Sequence, residues 1–368
     1  MFEITISKQQ LLTPLLTVAV AVDKKQAQAI LANILIKLNG EQVLLTATDL
    51  DIEISALIPC ISSQDNGAIT IPAKKFVDII RSLEDNANPT LSCLENTITI
   101  KEGRSKFKLT TLAADSYPNS KSEASDMEIT LLKSDLVRLL QYTYFAMSQQ
   151  DVRVFLNGLF LELDGQQITA VATDGHRMAI CRLSCEPENK HQRFLIPRKG
   201  ILEMLRLLGN ITDDKVSIAA GKKHFKLLTR QYTFITKLID TRFPPYSKAI
   251  PKSQDKQVIV DRDLLRRALS RIVILANEKS RAVLLHMQPF LLTLVATNQE
   301  QEEAIETMEA KTEGEELKIG INASYLLDVL NYVGEGLLRL SMSNSDSSVL
   351  VESLQDSNYQ YIIMPMKL

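Results

Sequence analysis

Asp174, His176 and Arg177 occupy one four-residue stretch of this 368-residue chain. An aspartate that orients a histidine is the arrangement of a general base and its partner. An arginine beside them carries a planar fork of five donors suited to carboxylate or phosphate. Chemistry of that kind needs more than a base. A lone general base supplies about 10²–10⁴-fold, whereas enzymes commonly supply 10⁶-fold or more. No nucleophile or metal-ligand set accompanies the stretch, and no G-x-x-x-x-G-K-[ST] phosphate loop occurs in the chain. A hydrolase using Asp174 and His176 is therefore the weaker alternative. The stronger reading is a binding rim, with the Arg177 fork offered to a partner. Cys181 and Cys185 have no second pair at zinc-ligand spacing, and Cys60 and Cys93 stand alone. All four read as buried thiols of a reducing compartment. No metal and no cofactor is expected.

The elements that position this stretch are legible because they recur. Ala172-Thr173-Asp174 ends an apolar run as Ala47-Thr48-Asp49 and Ala296-Thr297-Asn298 do, and the threonines are 125 and 124 residues apart. A repeat of that length is a whole domain. Each copy opens with a short strand (Phe2–Ile6, Met127–Leu131, Gln257–Val260) and continues into an amphipathic helix. In the first helix Ser7 and Gln10 are spaced as a capping box; the others start near Ser134 and Asp261. A second helix follows Ile71, Ile196 and Ile321, each 125 residues from the last, with proline placed for a first helical position in two of them. The predicted architecture is α+β: three similar domains at 1–125, 126–253 and 254–368, each with two helices packed on β-sheet. Linkers rich in Ser, Pro and charge are expected at Ser116–Asp126 and Pro244–Lys256. The Asp of each Thr-Asp pair then reads mainly as a turn residue that binds its own backbone. Gly175-His176-Arg177-Met178 has no counterpart in the other copies, so a special role belongs there.

Composition bounds the rest. The chain is 45% hydrophobic with no tryptophan and a net charge of −2. Its longest apolar run, Leu11–Val22, is interrupted and lacks a basic leader, so a cytoplasmic protein without membrane partners is expected. Residues 126–253 carry 19 Lys and Arg against 13 Asp and Glu, whereas residues 254–368 carry 11 against 17. Basic residues recur on the helices: Lys74, Lys75, Arg81, Arg138, Arg198, Lys199, Arg206, Arg262, Arg266, Arg267 and Arg271. Cations spread over repeated helices suit sequence-blind phosphate contacts, although on a single helix they are only a solvated face. The C-terminus ends in a soft apolar lip of Met364, Met366 and Leu368 beyond a strand broken at Pro365.

The chain as a whole resembles the bacterial DNA polymerase III beta subunits, the processivity sliding clamps. The resemblance is carried by Ala172–Arg177, Gln150–Arg153, Leu156–Gly158, Ile196–Gly200, Arg242–Pro244, Asn277–Lys279, Tyr325–Leu330 and Met364–Leu368. It implies a head-to-tail homodimer forming a ring of six domains around duplex DNA, with helices lining the hole. Size agrees with that expectation. A 125-residue domain approximates a sphere about 36 Å across, so three in a ring leave a hole of about 6 Å and six leave about 36 Å. Only the second admits a duplex.

The resemblance also implies site residues. A pocket for short Gln/Leu/Phe-type peptides of the polymerase alpha subunit, clamp loader, other polymerases and repair proteins would draw on Arg153, Phe155, Leu156, Thr173, Gly175, His176, Arg177 and Met178. It would be completed by Pro244, Ala249, Asn322, Tyr325, Ser348, Ile362, Met364, Pro365 and Met366. Met178, Phe155 and Lys367 depart mildly from the leucine, tyrosine and arginine common in the family. DNA contacts would come from Lys24, Lys25, Lys74, Arg81, Gln150, Arg198, Lys199 and Arg206. The dimer seam would join Phe107 and Leu109 to Ile274 and Leu275, with Arg104, Lys106 and Lys108 facing Glu300, Glu302, Glu303 or Glu306. A scaffold that binds peptides without encircling DNA is the other alternative.

Overall fold

The computed structural model describes residues 2–23, 28–118, 125–251 and 254–367, with the backbone alone at 187–189. The chain packs as two compact units, residues 1–133 with 206–238, and residues 134–205 with 239–368.

The first unit holds two antiparallel sheets. One runs in the order Ser62–Gln64, Phe2–Thr5, Thr90–Leu94, Thr97–Glu102, Ser105–Thr110. The other has eight strands and joins two copies of the repeat: Tyr232–Lys237 of the second pairs along Ile52–Pro59 of the first, Phe234 opposite Ile54. Helix α1 (Lys8–Val18) buries Leu11, Leu15 and Val18, and helix α2 (Ala73–Ser82) buries Phe76, Val77 and Ile80. These spacings of three and four residues are the apolar stripe that the sequence shows.

The second unit contains α3 (Lys133–Gln141) from Ser134 onward and α4 (Arg198–Asn210) up to Leu205. It also holds α5 (Arg262–Ile272) and α6 (Ala323–Tyr332). A seven-stranded sheet again crosses copies. The long hairpin Gly158–Thr173/Arg177–Pro197 pairs with the C-terminal strand Tyr359–Ile363, placing Met178 opposite Ile362 and Arg177 opposite Ile363. A four-stranded sheet runs Glu303–Glu309, Leu291–Thr297, Ala282–Gln288, Leu317–Asn322. Packing thus follows the sheets rather than the repeat, because an antiparallel ladder bonds through backbone and joins strands of different copies freely.

Two local expectations are corrected. Ser7 occupies the N-cap of α1, but its side chain makes no capping hydrogen bond. Pro72 sits at the N-cap of α2, one position before the helix, and Pro197 ends a strand. Asp261 does cap α5, accepting from Leu264 N at 2.9 Å. Three of the four cysteines are buried, and Cys60 is half-buried. Burial pushes the Cys181 thiol up to about 12, which leaves it inert. No helix among the described residues is long and apolar enough to cross a membrane.

Candidate partner-binding site

The turn that closes the long hairpin is built by its own side chains. Thr173 Oγ1 donates to the Arg177 carbonyl at 2.6 Å and accepts from Gly175 N at 3.0 Å. Asp174 Oδ1 accepts from the backbone N–H groups of His176 and Arg177 at 2.9 and 3.0 Å. Gly175 takes φ +89, a conformation that glycine adopts without strain.

The remaining oxygen of Asp174 accepts from Arg177 Nε at 3.1 Å. Arg177 reaches further. Its Nη1 donates to Asp328 Oδ2 on α6, and its Nη2 to the Phe145 carbonyl at 2.8 Å. The guanidinium lies 4.5 Å from the Tyr325 ring centroid and 5.4 Å from that of Phe145. Phe145 stacks on Tyr332 with centroids 5.1 Å apart, and the Tyr332 hydroxyl shares a 2.7 Å hydrogen bond with that of Tyr144. Tyr144, Phe145, Asp174, Arg177, Asp328 and Tyr332 line a cavity of about 460 Å³ together with Arg198 and Asn331.

Two expectations fail here. Asp174 does not orient His176, because both its oxygens are taken by backbone and by Arg177. The Arg177 fork is not offered outward, because all three of its nitrogens already donate within the chain. It is a tie from the turn to α6. His176 is exposed, its ring 6.5 Å from that of Tyr325 at 20°.

Beside the turn lies an apolar floor. Phe160, Val171, Met178, Ile180, Leu195, Phe243, Leu350 and Ile362 form one buried cluster, with Phe155, Tyr246 and Ile250 packed on it. Phe243 stacks on Phe160 at 4.6 Å and meets Phe155 edge-on at 6.2 Å. Met178 and Ile362, expected in the pocket, are thus floor residues 6% and 2% exposed. Pro244 and Ala249 are exposed at the edge, Leu156 is buried, and Ser348 is half-buried beside Val349.

The other wall is the loop 150–157. Asn157 clamps it, donating to the Asp151 carbonyl and accepting from Asp151 N, both at 2.8 Å. Asp151 in turn holds Arg153: Oδ1 accepts from its backbone N and Nε, Oδ2 from Nη2 at 3.0 Å. The Arg153 hydrogen bonds pull the Asp151 carboxyl down to about 2. Arg153 lies against the turn, since a Cβ on Gly175 would sit 3.2 Å from both terminal nitrogens of its guanidinium.

The C-terminal residues complete the arrangement. Met364 N donates to the His176 carbonyl and Met366 N to the Gly320 carbonyl, each at 2.8 Å. The chain beyond Pro365 is therefore a backbone-anchored strap, with Met364 48% exposed. Leu368 lies outside the described residues. Asn322 caps α6, accepting from Ser324 N and Tyr325 N, and its amide donates to the Ser280 carbonyl.

Of the residues expected at DNA, Lys74, Arg81, Lys199 and Arg206 are exposed on α2 and α4, and Gln150 is exposed at φ +58. Lys24 and Lys25 lie outside the described residues. Arg198 is half-buried and donates to the Tyr144 and Met147 carbonyls at 3.3 and 3.1 Å, so it holds the 144–147 segment. Several other helix cations are engaged by carboxylates. Arg262 and Arg266 reach Asp263, and Arg271 binds Glu306 through two hydrogen bonds of 2.6 and 2.7 Å.

The residues expected at a dimer seam lie on or beside two sheet edges, each taken within its own unit. Ser105–Thr110 ends the five-stranded sheet, with Lys106 and Lys108 exposed, Phe107 and Leu109 half-buried, and exposed Arg104 beside them. Glu303–Glu309 ends the four-stranded sheet. Next to it Ile274, 77% exposed, lines a cavity of about 320 Å³ with Leu275, Glu300 and Glu302. Glu302 is tied to Asn298 and Glu306 to Arg271.

Three family models account for the chain in order: the DNA polymerase III beta subunit N-terminal domain over residues 2–121, the central domain over 130–245 and the C-terminal domain over 247–367. The chain belongs to the DNA polymerase III beta subunit family. It is 41% identical to the beta sliding clamp of Pseudomonas aeruginosa over 99% of both chains, and 36% identical to that of Escherichia coli over 99% of both. Among solved structures, the Pseudomonas aeruginosa beta subunit matches all of it at 40% identity and a TM-score of 0.96. That of Thermotoga maritima matches at 25% and 0.91. A Pseudomonas aeruginosa clamp bound to griselimycin matches at 40% and 0.95. Within this beta-subunit fold, Phe145 and Tyr332 line the arrangement with no signal in the sequence, and Asn157, within Leu156–Gly158, is marked only by the family resemblance. Asp328 was visible only as part of a family signature.

Proposed function

We propose that this DNA sliding clamp works as a ring of two chains joined head to tail, each contributing clamp domains 1–125, 126–253 and 254–368. It encircles duplex DNA and tethers the replicative polymerase and other replication and repair proteins. The observation that carries this is the full-length agreement with beta sliding clamps at 36–42% identity. The protein performs no chemistry. The ring slides because contacts from residues such as Lys74, Arg81, Lys199 and Arg206 are to phosphate and blind to sequence. A polymerase peptide held at the Gly175–Met178 turn, the apolar floor and the Met364–Met366 strap raises the polymerase's effective concentration at the primer end. One shared pocket makes the clamp loader, polymerases and repair proteins compete. The protein acts in the cytoplasm, at the nucleoid.

The seam is a heterologous one, in which the cationic edge Arg104–Leu109 of one chain meets the acidic edge and the Ile274 cavity of the next. Two unpaired sheet edges of opposite charge support that reading. Ile274→Ala with Leu275→Ala is expected to give monomers in sedimentation equilibrium; an unchanged dimer would remove the seam from this surface.

The whole reading is tested by loading the protein onto nicked circular DNA with a clamp loader and ATP, then cutting the circle. Retention on circles in high salt with loss from linear ends is the expected result. Equal stripping from both by salt would mean binding by phosphate contacts alone and would overturn enclosure.

A further inference from the structure

The long hairpin carries a polar cluster that the turn does not use. Phe160 and Glu162 lie two residues apart on Gly158–Thr173 and therefore on one face. Tyr246, in the short helical turn Tyr246–Ala249 after Pro244 and Pro245, lies over both. Its ring is 6.1 Å from that of Phe160, and its hydroxyl donates to Glu162 Oε2 at 2.8 Å. The other oxygen of Glu162 accepts from Arg193 Nε at 2.8 Å, and Arg193 is its direct partner across the ladder. The Glu162 side chain is only 13% exposed. Burial, then the bond to Glu162, pushes Tyr246 up to about 12, so its hydroxyl is a donor throughout the physiological range.

The Tyr246 ring packs on the apolar floor, and the chain on either side of it supplies Pro244 and Ala249. The Tyr246 hydroxyl ties this segment, entered through two prolines, to the sheet: Thr169 of the same strand also bonds it, and the charged acceptor Glu162 is the stronger partner. We infer that Glu162 is a positioning residue for the partner site: through Tyr246 it fixes the Pro244–Ala249 wall against the floor and so sets affinity for the apolar anchor of a partner peptide. The inference rests on the reading of this site as peptide-binding.

The test uses the full-length protein and two fluorescein-labelled synthetic pentapeptides that begin with Gln, one ending in Leu-Phe and the other in Ala-Ala. Polarisation gives the affinities. Tyr246→Phe removes one oxygen and keeps the ring; Glu162→Leu removes the acceptor; Glu162→Gln keeps an acceptor. The first two are expected to bind the Leu-Phe peptide about tenfold more weakly than wild type, the scale of a lost hydrogen bond to a charged group. Glu162→Gln should stay within about threefold, a rescue by the conservative variant. The Ala-Ala peptide, which places nothing on the floor, should not distinguish the variants from wild type. Leu-Phe affinity within about twofold of wild type in both Tyr246→Phe and Glu162→Leu would overturn the positioning role. So would an equal loss on both peptides, which would mean general loosening. A wild-type protein that fails to prefer the Leu-Phe peptide would overturn the peptide-site reading itself, and the positioning role with it.

Discussion

In the first copy of the repeat, Thr48 Oγ1 donates to the Ile52 carbonyl at 2.7 Å and accepts from Leu50 N at 3.0 Å, while Asp49 Oδ1 accepts from Asp51 N and Ile52 N. In the second, Thr173 and Asp174 make the same four bonds to Arg177, Gly175 and His176. The two turns share a skeleton, so Thr and Asp are its framework. What differs hangs on that framework. Leu50 holds φ +76 where Gly175 holds +89, and Ile52, 2% exposed, stands where Arg177 reaches for Asp328 and Phe145. One turn ends in packing and the other in a polar tie to a second helix. A repeat thus separates what a turn needs from what a site needs, without any alignment of relatives.

The sharpest way to break the comparison is to make the second turn like the first. Arg177→Ile should cost about 3 kcal/mol of unfolding free energy, the low end for breaking a buried ion pair, since Asp328 is itself 42% exposed. Urea unfolding measures it. Peptide affinity should fall with it, because His176 and Tyr325 are aligned across the Arg177 tie. The matched change in the first copy, Ile52→Val, should cost about 1 kcal/mol and leave peptide affinity untouched. If Arg177→Ile proves neutral, the tie has no structural consequence and the contrast between the turns is one of sequence alone.

A smaller effect sharpens the contrast at the tip. Gly175→Ala places a Cβ 3.2 Å from both terminal nitrogens of Arg153 at a φ that alanine resists. A loss of about 1–2 kcal/mol is expected, with weaker peptide binding as Arg153 shifts. Leu50→Gly in the first copy relieves a positive φ and should change stability by less than about 0.5 kcal/mol, with binding unchanged. Thermal unfolding and polarisation of the two variants together decide it; equal effects at both tips would mean that Arg153 plays no part.

The framework was legible in the sequence because it is local. A Thr-Asp pair closing an apolar run bonds to residues two to four positions on; it recurs after 125 residues, and Thr297-Asn298 takes the same phase 124 residues later. The apolar stripes of α1, α3 and α5 are legible for the same reason. What could not be read was any bond whose partner lies far along the chain. Arg177 reaches Asp328 across 151 positions and Phe145 across 32, and nothing in the spelling of either site announces the other. The sequence accordingly suggests an open fork where the structure has a filled one. Ladder bonds between Tyr232–Lys237 and Ile52–Pro59 run through backbone, which has no spelling at all, so the sheets that join copies were invisible. The resemblance to the clamps says which residues to expect at the site, but not which of them hold one another.

The gentlest probe concerns the wall facing the turn. Asp151 has a folded value of about 2 against an ordinary 3.8, lowered first by the Arg153 side-chain hydrogen bond and then by the Arg153 backbone N–H. A carboxylate depressed by folding contributes stability that is complete above its unfolded value and is lost as pH falls through its folded one. The Asp151 contribution should therefore be constant from about pH 5 upward and disappear between about pH 4 and pH 2. Unfolding curves across that window should be shallower in Asp151→Asn than in wild type, by the slope that one proton binding produces. The first-copy turn has no arginine at the phase of Arg177, so its region offers a control: Asp49→Asn should leave the Arg153-linked part of the acid slope in place. The geometry makes a second demand. Asp151→Asn keeps an acceptor for Arg153 N but cannot hold the guanidinium with charge, so peptide affinity at pH 7 should drop by about threefold while Asn157 keeps the loop folded. An acid slope identical in Asp151→Asn and wild type would mean that Arg153 stands against Gly175 without the carboxylate's help, and the wall would then owe its position to the Asn157 clamp alone.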